Sequence, residues 1–292
     1  MQFVKMHGLG NDYILVHTVT DPVTEPSILA RSISDRHRGV GSDGLILVTP
    51  SEVADVGMQI YNADGSRAQM CGNGIRCVAK YAVDRGLCSS ARLLIETDSG
   101  VRRACCTVTA GGVTNVQIDM GIPRFLDRSG QAVADEDTAV IDRPMPVNGK
   151  TLAVTCVSIG NPHAVVFVDT LDQVDLARDG AALASSPLFP GGINAHFVRI
   201  ESPHDCTMVS WERGSGATQA CGTGACAVAA AARRLGRIQY PLTVHLPGGD
   251  LYIEQTESDK PVNQGHLLMT GPAEAVFAAV WPCGGSVRDG SE

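Results

Sequence analysis

The chain has 292 residues, of which 44% are hydrophobic, 18% charged and only 4% aromatic, with 32 glycines and a formal net charge of −8. These figures fit a globular protein with core enough for two domains of ordinary size and exclude a disordered chain. They also exclude broad nucleic-acid binding, which needs clustered Lys and Arg, and no apolar stretch approaches the roughly 18 residues of a membrane span.

In chain order, the opening MQFVKMHGLGND has no apolar signal core, so the expected compartment is the cytoplasm, where the ten cysteines are expected as reduced thiols. A Gly10-Asn11 turn precedes a β-like run at 13–16. After Tyr61-Asn62 comes the segment Gln69-Met70-Cys71-Gly72-Asn73-Gly74, which opens a helix of strong helix formers running to Val83. Arg85 suits the negative end of that helix, and Gly86 stands where a terminating glycine belongs. Asp98-Ser99-Gly100 reads as a hairpin, and residues 121–140 (GIPRFLDRSGQAVADEDTAV), rich in turn formers and charge, read as a linker.

The same elements then return. At a constant offset of 150, eight of the eighteen positions from 69 to 86 are identical: Gln69, Cys71, Gly72, Gly74, Val78, Ala79, Ala82 and Gly86. Gly160-Asn161 falls on Gly10-Asn11 and precedes the β-like run 164–168, Trp211-Glu212 falls on Tyr61-Asn62, and Pro247-Gly248-Gly249 meets the first hairpin at an offset of 149. An ordered series of matches marks an internal duplication. The halves expected are residues 1–120, completed by 270–292, and residues 121–269, with the second helix, mostly Ala from 225 to 232, buried at a centre.

Cys71 and Cys221 each sit just before a helix N-terminus among glycines. Orphan N–H groups and the positive end of the helix dipole there favour a thiolate and predict a lowered pKa, and a ligand carboxylate can approach the same backbone closely. One such cysteine is more often just a turn before a packed helix. A symmetric pair suits proton removal on one face of a carbon and proton return on the other, with both helix starts stabilising the carbanion's charge. Cys77, Cys88, Cys105, Cys106, Cys156, Cys206, Cys226 and Cys283 are expected to be ordinary thiols, and their spacings match no common zinc pattern.

The motifs MHGLGND (6–12), NADGSxxxMCGNGxRC (62–77), GNPH (160–163), ERGSGATQACGTGA (212–225) and LPGGDL (246–251) resemble the diaminopimelate epimerase family, over residues 1 to about 271. The resemblance implies an α+β fold of two pseudo-symmetric domains, each a β-barrel-like sheet around a central helix, with the site in the cleft. It implies epimerisation of LL- to meso-diaminopimelate without a cofactor, on the route to lysine and peptidoglycan, in a homodimer; with the charge, hydropathy and cysteine spacings above, no metal, nucleic acid or membrane is expected as a partner. Carried over residue by residue, the catalytic pair is Cys71 and Cys221. The substrate-binding residues are Asn11, Asn62, Asn161, Asn194, Glu212 and Arg213, with Gly72, Asn73, Gly222 and Thr223 at the helix starts. His163 matches a histidine held near the site with the glutamate, as support for proton movement.

Two positions depart from the family pattern: Gly44 stands where many members carry Gln, and Ala217 replaces the glutamate of ERGxGET. Three other readings compete. A proline or hydroxyproline racemase would share the two-thiol chemistry, but a ring substrate has no distal charged head for Glu212-Arg213. A pyridoxal-phosphate racemase needs a Schiff-base lysine, and Lys5, Lys80, Lys150 and Lys260 have no persuasive setting. A thiol redox or binding protein with a 71–221 disulfide would not need the Glu-Arg pair or four asparagines.

Overall fold

The computed structural model describes residues 1–68, 70–133, 137–257 and 265–282. Strands dominate it, with four α-helices among the described residues: α1 (Pro26–Ser34), α2 (Gly72–Asp84), α3 (Ala181–Ala184) and α4 (Gly222–Arg234). In the first copy, Gln2–Gly8 pairs antiparallel with Asn11–His17, which runs parallel to Gly44–Thr49. That strand pairs antiparallel with Val56–Asn62, itself parallel to Arg92–Thr97 beyond α2. Two antiparallel turns then lead through Gly100–Thr109 to Gly112–Gly121.

The second copy repeats each step: Lys150–Ser158, Pro162–Phe167, a parallel Asn194–Ser202, an antiparallel Asp205–Glu212, α4, a parallel Leu242–Leu246, Gly249–Gln255 and Leu267–Pro272. Leu267–Pro272 also pairs with Gly112–Gly121, joining the last strands of the two copies. The chain then returns, and Glu274–Val280 pairs with Gln2–Gly8 as Arg143–Val147 pairs with Lys150–Ser158.

The strands of each copy wrap a helix. The inner alternation of Gly112–Gly121 and Arg92–Thr97 places every second side chain against α2. The core surrounding α4 leaves Ala225, Cys226 and Ala227 through Ala232 with no exposure, because only small side chains let strands close around a helix on all sides. The outer face is covered as well. Ile33 and Ala30 of α1 pack on Phe3, Ile14, Val16, Leu45 and Leu47, while Leu183 of α3 packs on Val154, Val166, Ala195 and Phe197. Central strands such as Gly44–Thr49 (GLILVT) are therefore buried on both faces. Both central helices end on a left-handed glycine, Gly86 and Gly236, each at φ +68°, a conformation that costs a side chain-bearing residue about 1–2 kcal/mol.

The stretch 121–140 is not a free linker. Arg124–Phe125 pairs with Lys150–Ser158, Leu126 bridges Ala132, and Ala139 and Val140 are buried. Charge and turn formers marked its loops but not the apolar residues that tie it down. Residues 283–292, including Cys283, and Lys260 lie outside the described residues.

Asp179, 3% exposed in the turn before α3, accepts from Arg178, Lys150 and Asn148. Arg178 first, then Lys150, hold its carboxyl well below the usual carboxylate range. Unfolding releases that carboxyl to a pKa of about 3.9, so its contribution is complete above that value and fades as the pH falls below it. Asp179→Asn is expected to cost about 1–2 kcal/mol in urea unfolding at pH 7, with the gap from wild type narrowing below about pH 4. A gap that persists unchanged into acid would contradict this.

Candidate active site

The two repeated cysteines are the N-caps of α2 and α4, both with extended backbone. The two helix starts abut: a Cβ placed on Gly72 would lie 3.3 Å from the Gly222 Cα and 3.5 Å from the Thr223 backbone nitrogen. A side chain at either position would crowd this approach. Asn73 joins them from the side, donating to the Ala220 carbonyl at 3.0 Å and to Asn11 Oδ1 at 3.2 Å.

Around Cys71 the donors converge. The Gly74 N–H donates to its Sγ at 3.3 Å and the Tyr13 hydroxyl lies 3.0 Å from it, while the thiol itself donates to Asn11 Oδ1 at 3.7 Å. Asn11 is itself oriented by Asp43, which accepts from its amide at 2.6 Å. Asp43 belongs to a network with Asp12, Lys5 and Arg36.

Cys221 has different neighbours. It is 2% exposed, its Sγ lies 3.8 Å from the Thr223 hydroxyl, and it hydrogen bonds to the Glu212 carboxylate. Thr218 donates to Glu212 at 2.6 Å. A buried column stands beside the sulfur: Asn161 Oδ1 to His163 Nε2, His163 Nδ1 to His196 Nε2 and His196 Nδ1 to Ser210 Oγ, each 2.9 Å. Asn194, which pairs with His163 across the parallel strands, donates to the Pro162 carbonyl and accepts from the Arg213 backbone N–H at 2.9 Å.

The lowered thiol pKa expected from position alone is not what the structure gives. Burial pushes both sulfurs up, Cys71 against the opposing donors Tyr13, Gly74 and Asn73, and Cys221 further because the Glu212 carboxylate faces it. Burial likewise raises Glu212, and it drives His163 well below the usual histidine value and His196 to about 3. At both sulfurs desolvation outweighs the helix starts. Elsewhere Cys77, Cys156, Cys206 and Cys226 are pushed by burial to about 12, as inert core thiols are. Lys5, Lys80 and Lys150 are each paired with a carboxylate.

Most residues singled out in the sequence meet here, but two point elsewhere. Asn62, at the end of its strand, turns its amide to Ser66 at 3.0 Å. Arg213 lies exposed at the rim, its guanidinium donating to the Gly191 carbonyl. The structure adds Tyr13, His196, Ser210, Thr218 and Arg76. A signal for the first was present, since the offset of 150 maps Tyr13 onto His163.

Both departures from the family pattern have a local reading. A Cβ on Gly44 would come 2.4 Å from the Tyr61 carbonyl oxygen, so the backbone closes that position to a side chain. Gly44→Gln is expected to lower stability by about 1–3 kcal/mol without tightening substrate binding, checked by thermal melting and KM. A more stable variant with a lower KM would contradict it. Ala217 is exposed and pairs with Trp211, while its neighbour Thr218 makes the contact to Glu212.

A family model described as diaminopimelate epimerase matches residues 3–126 and 155–276. A diaminopimelate epimerase of Acetivibrio thermocellus is 47% identical over 277 residues, 95% of this chain and 97% of its own length. One from Methanococcus maripaludis is 43% identical over 277 residues, 95% and 98% of the two chains. Among solved structures, a probable proline racemase from Agrobacterium radiobacter with bound carbonate superposes with a TM-score of 0.74 at 15% identity, over 96% of this chain and 92% of the other. A phenazine biosynthesis protein of the PhzF family from Bacillus anthracis gives 0.70 at 20% identity, over 96% and 98%. At such identities these two share the fold.

Proposed function

This chain belongs to the diaminopimelate epimerase family, and from that premise we propose that it interconverts LL- and meso-2,6-diaminopimelate by two-thiol proton transfer, supplying lysine and peptidoglycan synthesis. The observation that carries the reading is the pair of N-cap cysteines on two helices whose first turns touch. One sulfur, as thiolate, takes the α-hydrogen as a proton. The electron pair left behind spreads onto the α-carboxylate as an enediolate. The other thiol returns a proton to the opposite face and is left as the thiolate, so the cycle runs in either direction.

Cys71 and Cys221 are the acid–base pair in this proposal. The backbone N–H groups at Gly72, Asn73, Gly222 and Thr223 are the donors for the carboxylate, where the charge develops. Because burial raises both thiols, the substrate ammonium supplies the positive charge that draws out a thiolate. Asn11, Asn161 and Asn194 orient the substrate, and Asn62 releases Ser66 to join them. Glu212 and Arg213 hold the ammonium and carboxylate of the distal head, while His163 and Glu212 support the proton at Cys221.

The halves of the catalytic unit are residues 1–120 with 270–292, and 121–269. We assign a homodimer, supported by the exposed edge strand Glu274–Val280 with Val276, Phe277 and Val280 outward. We assign the cytoplasm, since both sulfurs must stay reduced. Among the described residues no helix is long and apolar enough to cross a membrane.

The test is the purified protein, without added cofactor and under reducing conditions, offered LL-diaminopimelate, proline and hydroxyproline in parallel. Conversion of diaminopimelate alone is expected. Conversion of a ring substrate instead would overturn the substrate while leaving the chemistry.

A further inference from the structure

The offset of 150 compares the surroundings of the two sulfurs position by position, and they differ in kind. Tyr13, Ile46, Ile60 and Gly74 of the first copy correspond to His163, His196, Ser210 and Gly224 of the second. Against Gly74 stand the Ile46 Cδ1, 2.8 Å from where a Cβ would lie, and the Met58 methyl at 3.4 Å. Against Gly224 stand the His196 Cε1 at 2.4 Å, its Nε2 at 2.8 Å and Cys221 Sγ at 3.0 Å. An apolar wall in one copy has become a polar one in the other, and the missing side chain at Gly224 lets an imidazole nitrogen and a sulfur both lie against the first turn of α4.

One ring nitrogen each from His163 and His196, together with Cys221 Sγ, lie within 4.8 Å of one another, and all three residues are buried. Two imidazoles and a thiolate are the donor set of tetrahedral sites for borderline-soft divalent ions. The outer partners are in place too. His163 Nε2 faces Asn161 Oδ1 and His196 Nδ1 faces Ser210 Oγ, so each ring can keep its proton on the nitrogen pointing away and turn the other toward an ion. Asn161 takes the His163 proton as it stands. His196 must move one proton from Nε2 to Nδ1, which Ser210 can accept by rotating its hydroxyl.

We propose that Cys221, His163 and His196 form a site for a borderline-soft divalent cation of the zinc class, and that occupancy withdraws the Cys221 sulfur from proton transfer. Binding releases the Cys221 thiol proton, leaves a fourth position for water, and excludes turnover. The inhibitory part rests on the two-thiol reading of function, whereas the site itself does not.

The test is anaerobic titration of the metal-free protein with Co²⁺, with a phosphine in place of thiol reductants, followed by absorbance. One equivalent is expected to raise a thiolate-to-cobalt charge-transfer band and the strong visible bands of four-coordinate cobalt. Cys71→Ala should keep these bands and Cys221→Ser should lose the charge-transfer band. His196→Ile, which copies the first half, should weaken cobalt binding about tenfold or more, and Ser210→Ala should weaken it about tenfold. Folding of each variant is checked by circular dichroism. Zn²⁺ is expected to displace the cobalt and to stop epimerisation at one equivalent, reversed by a chelator. No charge-transfer band in folded wild type, or a band that survives Cys221→Ser, overturns the site. A band with no epimerase activity in the metal-free protein keeps the site and overturns the function instead.

Discussion

Replacing either Cys71 or Cys221 with alanine is expected to lower epimerisation by about a thousandfold or more, with the fold intact. The two changes should be equally severe, and the double variant little worse than either single one, because the sulfurs act as a unit on one carbon. The geometry gives the reason. Cys71 and Cys221 cap helices whose starts meet at Gly72 and Gly222, and the proposal places one sulfur on each face of a carbon held between them. Stability should change little at the half-buried Cys71 and more at Cys221, whose sulfur touches Glu212 and Thr223. Initial rates in both directions, with circular dichroism alongside, check this. A single variant that keeps a tenth of wild-type activity would contradict the pairing.

The second large effect is expected at Arg76, which is fully buried and has no acidic partner among the described residues. Its guanidinium donates to the Pro272 carbonyl at 3.0 Å, the Gly72 carbonyl at 3.1 Å and Asn73 Oδ1 at 3.1 Å. It thereby ties the first turn of α2 to Leu267–Pro272, the strand that joins both copies, and fixes the Asn73 amide that reaches Asn11 and Ala220. Arg76→Leu would fill much of the volume but remove the guanidinium's bonds to the Pro272 and Gly72 carbonyls and leave Asn73 Oδ1 without its donor. A loss of about 3–5 kcal/mol in urea unfolding is expected, near the top of the range for single substitutions. Arg76→Lys keeps the charge but not the fork, so it should fall between. An unchanged midpoint for Arg76→Leu would mean that the oxygens find other partners.

The duplication was legible in the sequence because both copies kept what the geometry cannot vary: glycines at the helix starts and ends, small residues along the helices and the two sulfurs. Cys71, Cys221, their helices and the hairpins at 98–100 and 247–249 follow from that alone. What differed between the copies was harder to see. His196 and Ser210 fall on Ile46 and Ile60, so a search for identities passes over them, and only the sheet register brings them beside Cys221. Arg76 looks like any helix arginine until the returning strand at 267–272 covers it. The sign of the thiol pKa was missed for a related reason. Position at a helix start is written in the chain, whereas the burial that outweighs it is a property of the closed fold.

The central claim, that one sulfur removes the proton and the other replaces it, is tested most directly by running LL-diaminopimelate to low conversion in deuterium oxide and measuring label in both isomers. Two sulfurs acting on opposite faces predict a meso product carrying one solvent deuterium at the inverted α-carbon, with the remaining LL isomer almost unlabelled. Product that retains the substrate's own hydrogen, or label appearing equally in both isomers from the start, would point to a single base serving both faces and would contradict the account.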